Sequence, residues 1–104
     1  MHIRIVTFRL DGMTTKEYET QAAALATAFT QWPGLRAKFW LADKESEIFG
    51  GVYVFESRAA ADRSRSTALF AGLTGNTAFA DLIVREFDTL AEPTAVTGWI
   101  ARAA

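Results

Sequence analysis

The chain has 104 residues, half of them hydrophobic, and a formal net charge of −1. This length corresponds to one domain, and the near-neutral charge gives no electrostatic reason to bind nucleic acid or anionic lipid. Cysteine is absent, which excludes disulfides, thiolate nucleophiles and cysteine-ligated metals. The first residues lack the apolar segment of a signal peptide, and no apolar stretch is long enough for a bilayer. We therefore expect a cytoplasmic protein without a membrane partner.

The first part of the chain predicts a strand followed by a helix. Residues 3–10 alternate and are rich in β-branched side chains, as is typical of a strand. Thr14 and Glu17 have the spacing of a capping box, which indicates a helix start. An apolar stripe at helical spacing then follows, formed by Tyr18, Ala22, Leu25 and Phe29. Pro33 ends this helix because proline cannot continue it.

The remainder predicts a hairpin, a second helix and a fourth strand. Residues 35–43 and 48–56 are the two strands of the hairpin, separated by the polar loop DKESE. Ser57 caps a second helix that fades in the segment AGLTGN. Residues 80–88 form a fourth strand, and residues 90–104 are a C-terminal tail.

The predicted order βαββαβ indicates an α+β, ferredoxin-like sandwich formed by the single domain 1–104. Both helices pack on one face of a four-stranded antiparallel sheet, and the other face has no covering element within the chain. Both sides of the third strand are apolar, whereas a solvent-facing sheet alternates apolar and polar residues. We therefore expect the functional site on the uncovered face.

The segment FGGVYVFE, which begins at Phe49, contains two glycines that a buried strand does not need. RNA-recognition modules share this topology and carry a superficially similar motif on the third strand. The comparison fails because Gly51 and Val54 stand where stacking aromatics are required, and Glu47 stands where a basic residue is required. The glycines instead fit a strand that bulges into a barrel wall or approaches a ligand closely.

The hairpin sequence PGLRAKFWLAD-KESEIFGGVYVFES-RAAA is similar to that of the YdhR-type monooxygenases, which are small dimeric α/β-barrel proteins related to antibiotic-biosynthesis monooxygenases. The resemblance covers residues 33–61 most clearly and extends to residues 80–96. It implies a homodimer in which two sheets pack face to face around an apolar cavity. It also implies oxygenation of a small electron-rich aromatic, of the quinol or anthrone type, without flavin, haem or metal. The alternative is a non-catalytic dimeric barrel that binds a small molecule or interacts with another protein.

Candidate catalytic residues are Lys38, Tyr53 and His2. Lys38 would stabilise an enolate or phenolate, although a snorkelling surface lysine has the same pattern. Tyr53 would donate a hydrogen bond into the cavity, or is a core tyrosine. His2 is the one imidazole and would be a general base, or an exposed residue at a strand edge.

Candidate substrate-binding residues are Trp40, Gly50, Gly51, Arg4 and Arg85. Trp40 would stack on an aromatic substrate or pack in the dimer interface. The two glycines would leave space for the ligand near the backbone. Arg4 and Arg85 would hold a substrate carboxylate, although pairing with nearby acids is the default expectation. No metal site or cofactor is expected, and the predicted partners are a second copy of the chain and a small apolar or aromatic ligand.

Overall fold

The computed structural model describes residues 1–100. Its elements are β1 (His2–Leu10), α1 (Thr15–Phe29), β2 (Leu35–Asp43), β3 (Ile48–Phe55), α2 (Arg58–Ser64), α3 (Ala68–Thr74), β4 (Phe79–Asp88) and α4 (Ala91–Thr97). The strands form one antiparallel sheet in the order β2–β3–β1–β4. This arrangement confirms the predicted α+β ferredoxin-like fold.

Local signals in the sequence account for the strand and helix starts. Thr14 caps α1 with the predicted capping box, since its side chain accepts from the Glu17 amide and Glu17 accepts from the Thr14 amide. Ser57 caps α2 in the same way through the amide of Ala60. One helix prediction was wrong, because the second helix is interrupted. α2 ends at Ser64, and Thr67 starts a separate helix, α3, by accepting a hydrogen bond from the Phe70 amide.

The C-terminal tail also differs from the prediction. It contains α4, which begins after Leu90 and ends before Gly98. None of the residues of α4 is buried, and Leu90 and Val96 are largely exposed. The last four residues of the predicted tail, 101–104, lie outside the described residues. No helix within residues 1–100 has the length and apolarity needed to cross a membrane.

The sheet has a helix-covered face and an open face. The core lies between the sheet and the helices, where the even-numbered residues of β1 meet α1, α2 and α3. The open face carries large apolar side chains that remain about half exposed, namely Phe39, Ile48, Ile83 and Phe87. The prediction of an uncovered, apolar sheet face is therefore confirmed for residues 1–100.

The register of the sheet shifts at two places, between β1 and β4 and between Leu35 and Ala37 of β2, and neither lies at the glycines of β3. Pairing between β1 and β4 shifts by one residue near Asp81, which has a φ of 54° in the left-handed region. Aspartate tolerates this conformation better than most residues. β3 keeps an uninterrupted register with β1 through Gly50 and Gly51. The glycines therefore do not bend β3 by a bulge, which corrects one of the two sequence-based explanations for them.

Candidate functional site

At the two glycines of β3, atoms of neighbouring residues approach the strand too closely to leave room for an ordinary side chain. A Cβ on Gly50 would lie only 1.8 Å from the carbonyl oxygen of Val6, so the neighbouring strand leaves no room for a side chain. A Cβ on Gly51 would lie 3.2 Å from Cε of Lys38 and 3.2 Å from Cε1 of Tyr53. Gly50 therefore allows the strands to pair closely, and Gly51 provides the space through which the Lys38 side chain extends.

Lys38 reaches across this space into a group of aromatic rings. Its Nζ lies 3.3 Å from the ring centroid of Phe29, 3.4 Å from that of Trp40 and 4.6 Å from that of Tyr53. Phe29 comes from α1, whereas the other residues come from the β2–β3 hairpin, where Lys38 pairs with Tyr53 and Trp40 pairs with Gly51. The pairing register explains why these side chains meet, because paired residues project to the same face of a sheet.

The environment of Lys38 lacks a compensating acid. Within residues 1–100 its ammonium group takes part in no ion pair and no hydrogen bond. Burial lowers the pKa of Lys38 from 10.5 to about 7, since the charged form is poorly solvated there. The surrounding ring faces act in the opposite direction because they attract a cation. The desolvation effect by itself gives an amine that changes charge near neutral pH.

Lys38 lines a cavity of about 350 Å³ between the sheet and the helices α1 and α3. Its walls are mainly apolar and include Phe8, Leu25, Leu69 and Phe79. Small-molecule sites have roughly 300–1,000 Å³, so this cavity suits a compact ligand. Apolar walls with one ionisable amine are suited to holding an aromatic anion away from water.

Four other polar side chains line the same cavity, namely Tyr18, Gln21, Tyr53 and Asn76. Burial raises the pKa of Tyr18 to about 12 and raises that of Tyr53 further, so both phenols stay protonated at neutral pH. The Oε1 atom of Gln21 is buried and has no hydrogen-bond partner within residues 1–100. An unpaired buried acceptor is unfavourable, and a donor on a ligand would satisfy it.

The position of this cavity corrects the sequence-based prediction. Lys38, Trp40, Tyr53 and Gly51 were expected on the uncovered face, in a cavity between two sheets. They lie on the helix-covered face of one chain instead. The error arose because both faces of β3 are apolar, so hydrophobicity alone did not distinguish the face that packs on helices.

His2 and Arg4 do not line the cavity but form a buried ionic network at the other end of β1. His2 is 2% exposed rather than an exposed edge residue, and its two ring nitrogens lie 2.9 Å from carboxylate oxygens of Asp88 and Glu86. Arg4 is fully buried and donates to Glu86, to the hydroxyl of Ser64 at 2.8 Å and to a backbone carbonyl of α2 at 2.8 Å.

This network holds its carboxylates in the ionised form. Burial opposes ionisation of Glu86, but hydrogen bonds from His2, Arg65 and Arg4 outweigh that effect and lower its pKa. The hydrogen bond from His2 likewise lowers the pKa of Asp88. These side chains link β1, β4 and α2. Arg4 therefore pairs with a nearby acid, which was the default expectation from the sequence, and does not line the cavity.

Arg85 lies away from both groups. It is exposed and pairs with Ile5 in the register of β1 and β4, which places it on the open face of the sheet. The structure therefore brings together Lys38, Trp40, Tyr53 and the two glycines, and leaves Arg85 outside. Sequence reasoning missed Gln21, although its place three residues after Tyr18 on the apolar stripe of α1 was an available signal.

A sequence model of a known family matches residues 3–98, and its description is "Putative mono-oxygenase ydhR". The chain belongs to this family. The match confirms the resemblance inferred from the hairpin and covers nearly the whole of the described structure. No curated protein sequence matches the chain.

Solved structures share the fold of this ydhR family member at low sequence identity. An antibiotic biosynthesis monooxygenase is 20% identical, with a TM-score of 0.70 over 86% of this chain and 99% of the other. SnoaB, a cofactor-independent oxygenase from Streptomyces nogalater, is 21% identical, with a TM-score of 0.68 over 88% and 97%. The haem degrader MhuD from Mycobacterium tuberculosis is 21% identical, with a TM-score of 0.69 over 88% and 98%.

Proposed function

We propose that the chain is a cofactor-independent monooxygenase that oxidises a small electron-rich aromatic, of the quinol or anthrone type, in the cavity beside Lys38. The observation that carries the proposal is an amine with a pKa of about 7, enclosed by aromatic rings in an apolar cavity. Membership of a mono-oxygenase family gives the reaction class. The likeness to SnoaB supports the cofactor-independent part, since that protein has the same fold.

Oxygenation of this kind requires a substrate that reduces oxygen once it has lost a proton. For an anthrone, removal of a proton from the ring CH₂ gives a carbanion, which transfers one electron to O₂. Recombination of the resulting radical with superoxide forms a carbon–oxygen bond, and protonation gives a hydroperoxide. Loss of water from the hydroperoxide leaves a carbonyl. The balance is one CH₂ group and one O₂ converted to one C=O and one H₂O.

Lys38 would perform the first step. Its neutral amine accepts the proton, and the ammonium so formed stays beside the carbanion and stabilises its charge. Trp40 and Phe29 would hold the planar substrate against this amine. The phenols of Tyr18 and Tyr53 remain protonated and are available to protonate the peroxide. The apolar walls keep water from the radical intermediates.

The same proposal includes a homodimer formed through the open face of the sheet. Phe39 is 51% exposed and Phe87 is 48% exposed, and both lie on this face with Ile48 and Ile83. Monomers rarely expose a contiguous apolar surface of this kind. Sedimentation should give twice the chain mass of 11.4 kDa. Phe39→Lys should shift the mass towards the monomer, whereas Ala23→Lys, at an exposed position of α1, should not.

Oxygen uptake with a panel of hydroquinones and anthrones tests the activity. Lys38→Met should lower the rate at least about 100-fold, as expected for loss of a general base. Lys44→Met is the matched control, because Lys44 is exposed and paired with Glu19. With an anthrone, the wild-type rate should rise as the pH increases through about 7 and then level off, since the neutral amine is the reactive form.

Two results would count against this function. Equal rates for the wild type and Lys38→Met would remove the role of the amine. Tight binding of the aromatic panel without oxygen uptake would favour the alternative, in which the chain is a non-catalytic binding protein.

A further inference from the structure

We propose that Lys38 is also a covalent capture site for apolar aryl aldehydes and ketones, which condense with its amine inside the cavity to form an imine. This is a different reaction from oxygenation and needs neither oxygen nor an acidic substrate. It rests on the isolation of the amine, the shape and polarity of its cavity, and the contrast with the other lysines of the chain.

The surroundings of the Lys38 amine favour its reaction as a nucleophile. The nearest groups are ring faces, and no carboxylate in residues 1–100 pairs with it. A lysine desolvated in an apolar pocket is one of the recurring forms of activated amine. The titratable side chains that face it are Tyr18 from α1 and Tyr53 from β3, with the exposed Arg36 of β2 lining an adjoining hollow.

The chain provides its own comparison, since it contains three lysines, at positions 16, 38 and 44. Lys16 and Lys44 are exposed, and Lys44 is paired with Glu19. At pH 7 about half of Lys38 is neutral, whereas an exposed lysine with a pKa of about 10.4 has less than about 0.1% in that form. A carbonyl compound should therefore distinguish Lys38 from the other two.

The reaction balances without an added oxidant. The neutral amine attacks the carbonyl carbon and gives a carbinolamine, and loss of one water molecule gives the carbon–nitrogen double bond. Tyr53, whose ring centroid is 4.6 Å from Nζ, has a protonated phenol in the same cavity that can donate a proton to the departing hydroxyl. Hydrolysis reverses the step, so the adduct is reversible until it is reduced.

The cavity also defines the carbonyl compounds that fit. Its volume of about 350 Å³ lies at the lower end of the range for small-molecule sites, so compounds with one or two fused rings are suitable. The lining is mainly apolar, and burial of a charged carbonyl compound such as glyoxylate without a partner is unfavourable. The predicted ligand class is therefore neutral, planar and aromatic.

The test is reductive trapping with 2-naphthaldehyde and cyanoborohydride at pH 7, followed by intact mass and peptide mapping. The main lysine adduct is expected on Lys38, formed at least about tenfold faster than on Lys16 or Lys44, with the α-amino group of Met1 as an internal reference. 2-Methylnaphthalene, which lacks the carbonyl, should slow labelling of Lys38 and leave the α-amino group of Met1 unaffected. Glyoxylate should show no preference for Lys38.

Lys38→Arg and Lys38→Met should abolish the preferred adduct, whereas Lys44→Met should retain it. The peptide map of the wild type decides the question even if a Lys38 variant does not fold. Labelling at Met1 alone, or spread evenly over the three lysines, would overturn the proposal. The readout is independent of oxygen uptake, so trapping without uptake on the aromatic panel would count against the proposed oxygenase function and leave this inference intact.

Discussion

Replacement of Glu86 by glutamine should destabilise the fold strongly, because Glu86 pairs with the buried Arg4 as well as with His2 and Arg65. Arg4 is fully buried, and its guanidinium donates to one carboxylate, that of Glu86, and to the neutral oxygens of Ser64 and Ala61. Removal of one partner from a buried ion pair costs about 3–5 kcal/mol. Two of the three hydrogen bonds of Arg4 persist in Glu86→Gln, so we expect about 3 kcal/mol. This is a large part of a total stability of about 5–15 kcal/mol.

Urea unfolding followed by tryptophan fluorescence measures this loss. All variants should be compared at one protein concentration, because association contributes to the apparent stability. Asp88→Asn is the control, since Asp88 is 62% exposed and its replacement should cost much less than that of Glu86. Arg4→Met/Glu86→Met, which removes both charges, should be more stable than Glu86→Gln. A loss below about 1 kcal/mol for Glu86→Gln would refute the view that Arg4 depends on this carboxylate.

The other predictions concern single side chains and the same unfolding assay. Gly50→Ala should cost more than about 3 kcal/mol because of the contact with Val6, whereas Gly72→Ala, where a Cβ meets nothing within 4 Å, should be neutral or stabilising. Lys38→Met should stabilise the chain by about 4 kcal/mol at pH 7, and this gain should vanish towards pH 10, because a pKa lowered from 10.5 to about 7 makes the wild type more stable by about 1.4 kcal/mol for each pH unit between those values. Gln21→Met should add about 1 kcal/mol by removal of an unpaired buried acceptor, and no gain would indicate that the amide is satisfied by water.

Much of the fold was predictable because its signals are local. Alternation, the capping box at Thr14, the N-cap at Ser57 and Pro33 determine where elements begin and end, and the structure follows them closely. The break between α2 and α3 was missed because Ser66 and Thr67 are compatible with a helix interior as well as with a cap. The helix α4 was missed because it lacks an apolar stripe and buries none of its residues.

Part of the candidate site was also predictable, because the alternation of side chains along a strand is a local signal. Strand alternation places Lys38 and Trp40 on one face from sequence alone, and the observed hairpin register adds Tyr53 to that face. The choice of face depends on packing against Phe29, which belongs to a different element, α1. The pairing of His2 with two carboxylates also depends on contacts across more than 80 residues, and no local pattern indicates them.

The residues at positions 51 and 38 restrict which substitutions can be accepted at each other's position. A Cβ at position 51 would meet the lysine stem at 3.2 Å, so a branched residue there could be accommodated only if the lysine were shortened or turned outwards. In a descendant of this chain, loss of the glycine before loss of the lysine would displace the lysine stem, whereas the reverse order would leave the space beside position 51 unfilled. Replacement of Lys38 is therefore expected to come before replacement of Gly51 in any lineage that has lost both residues.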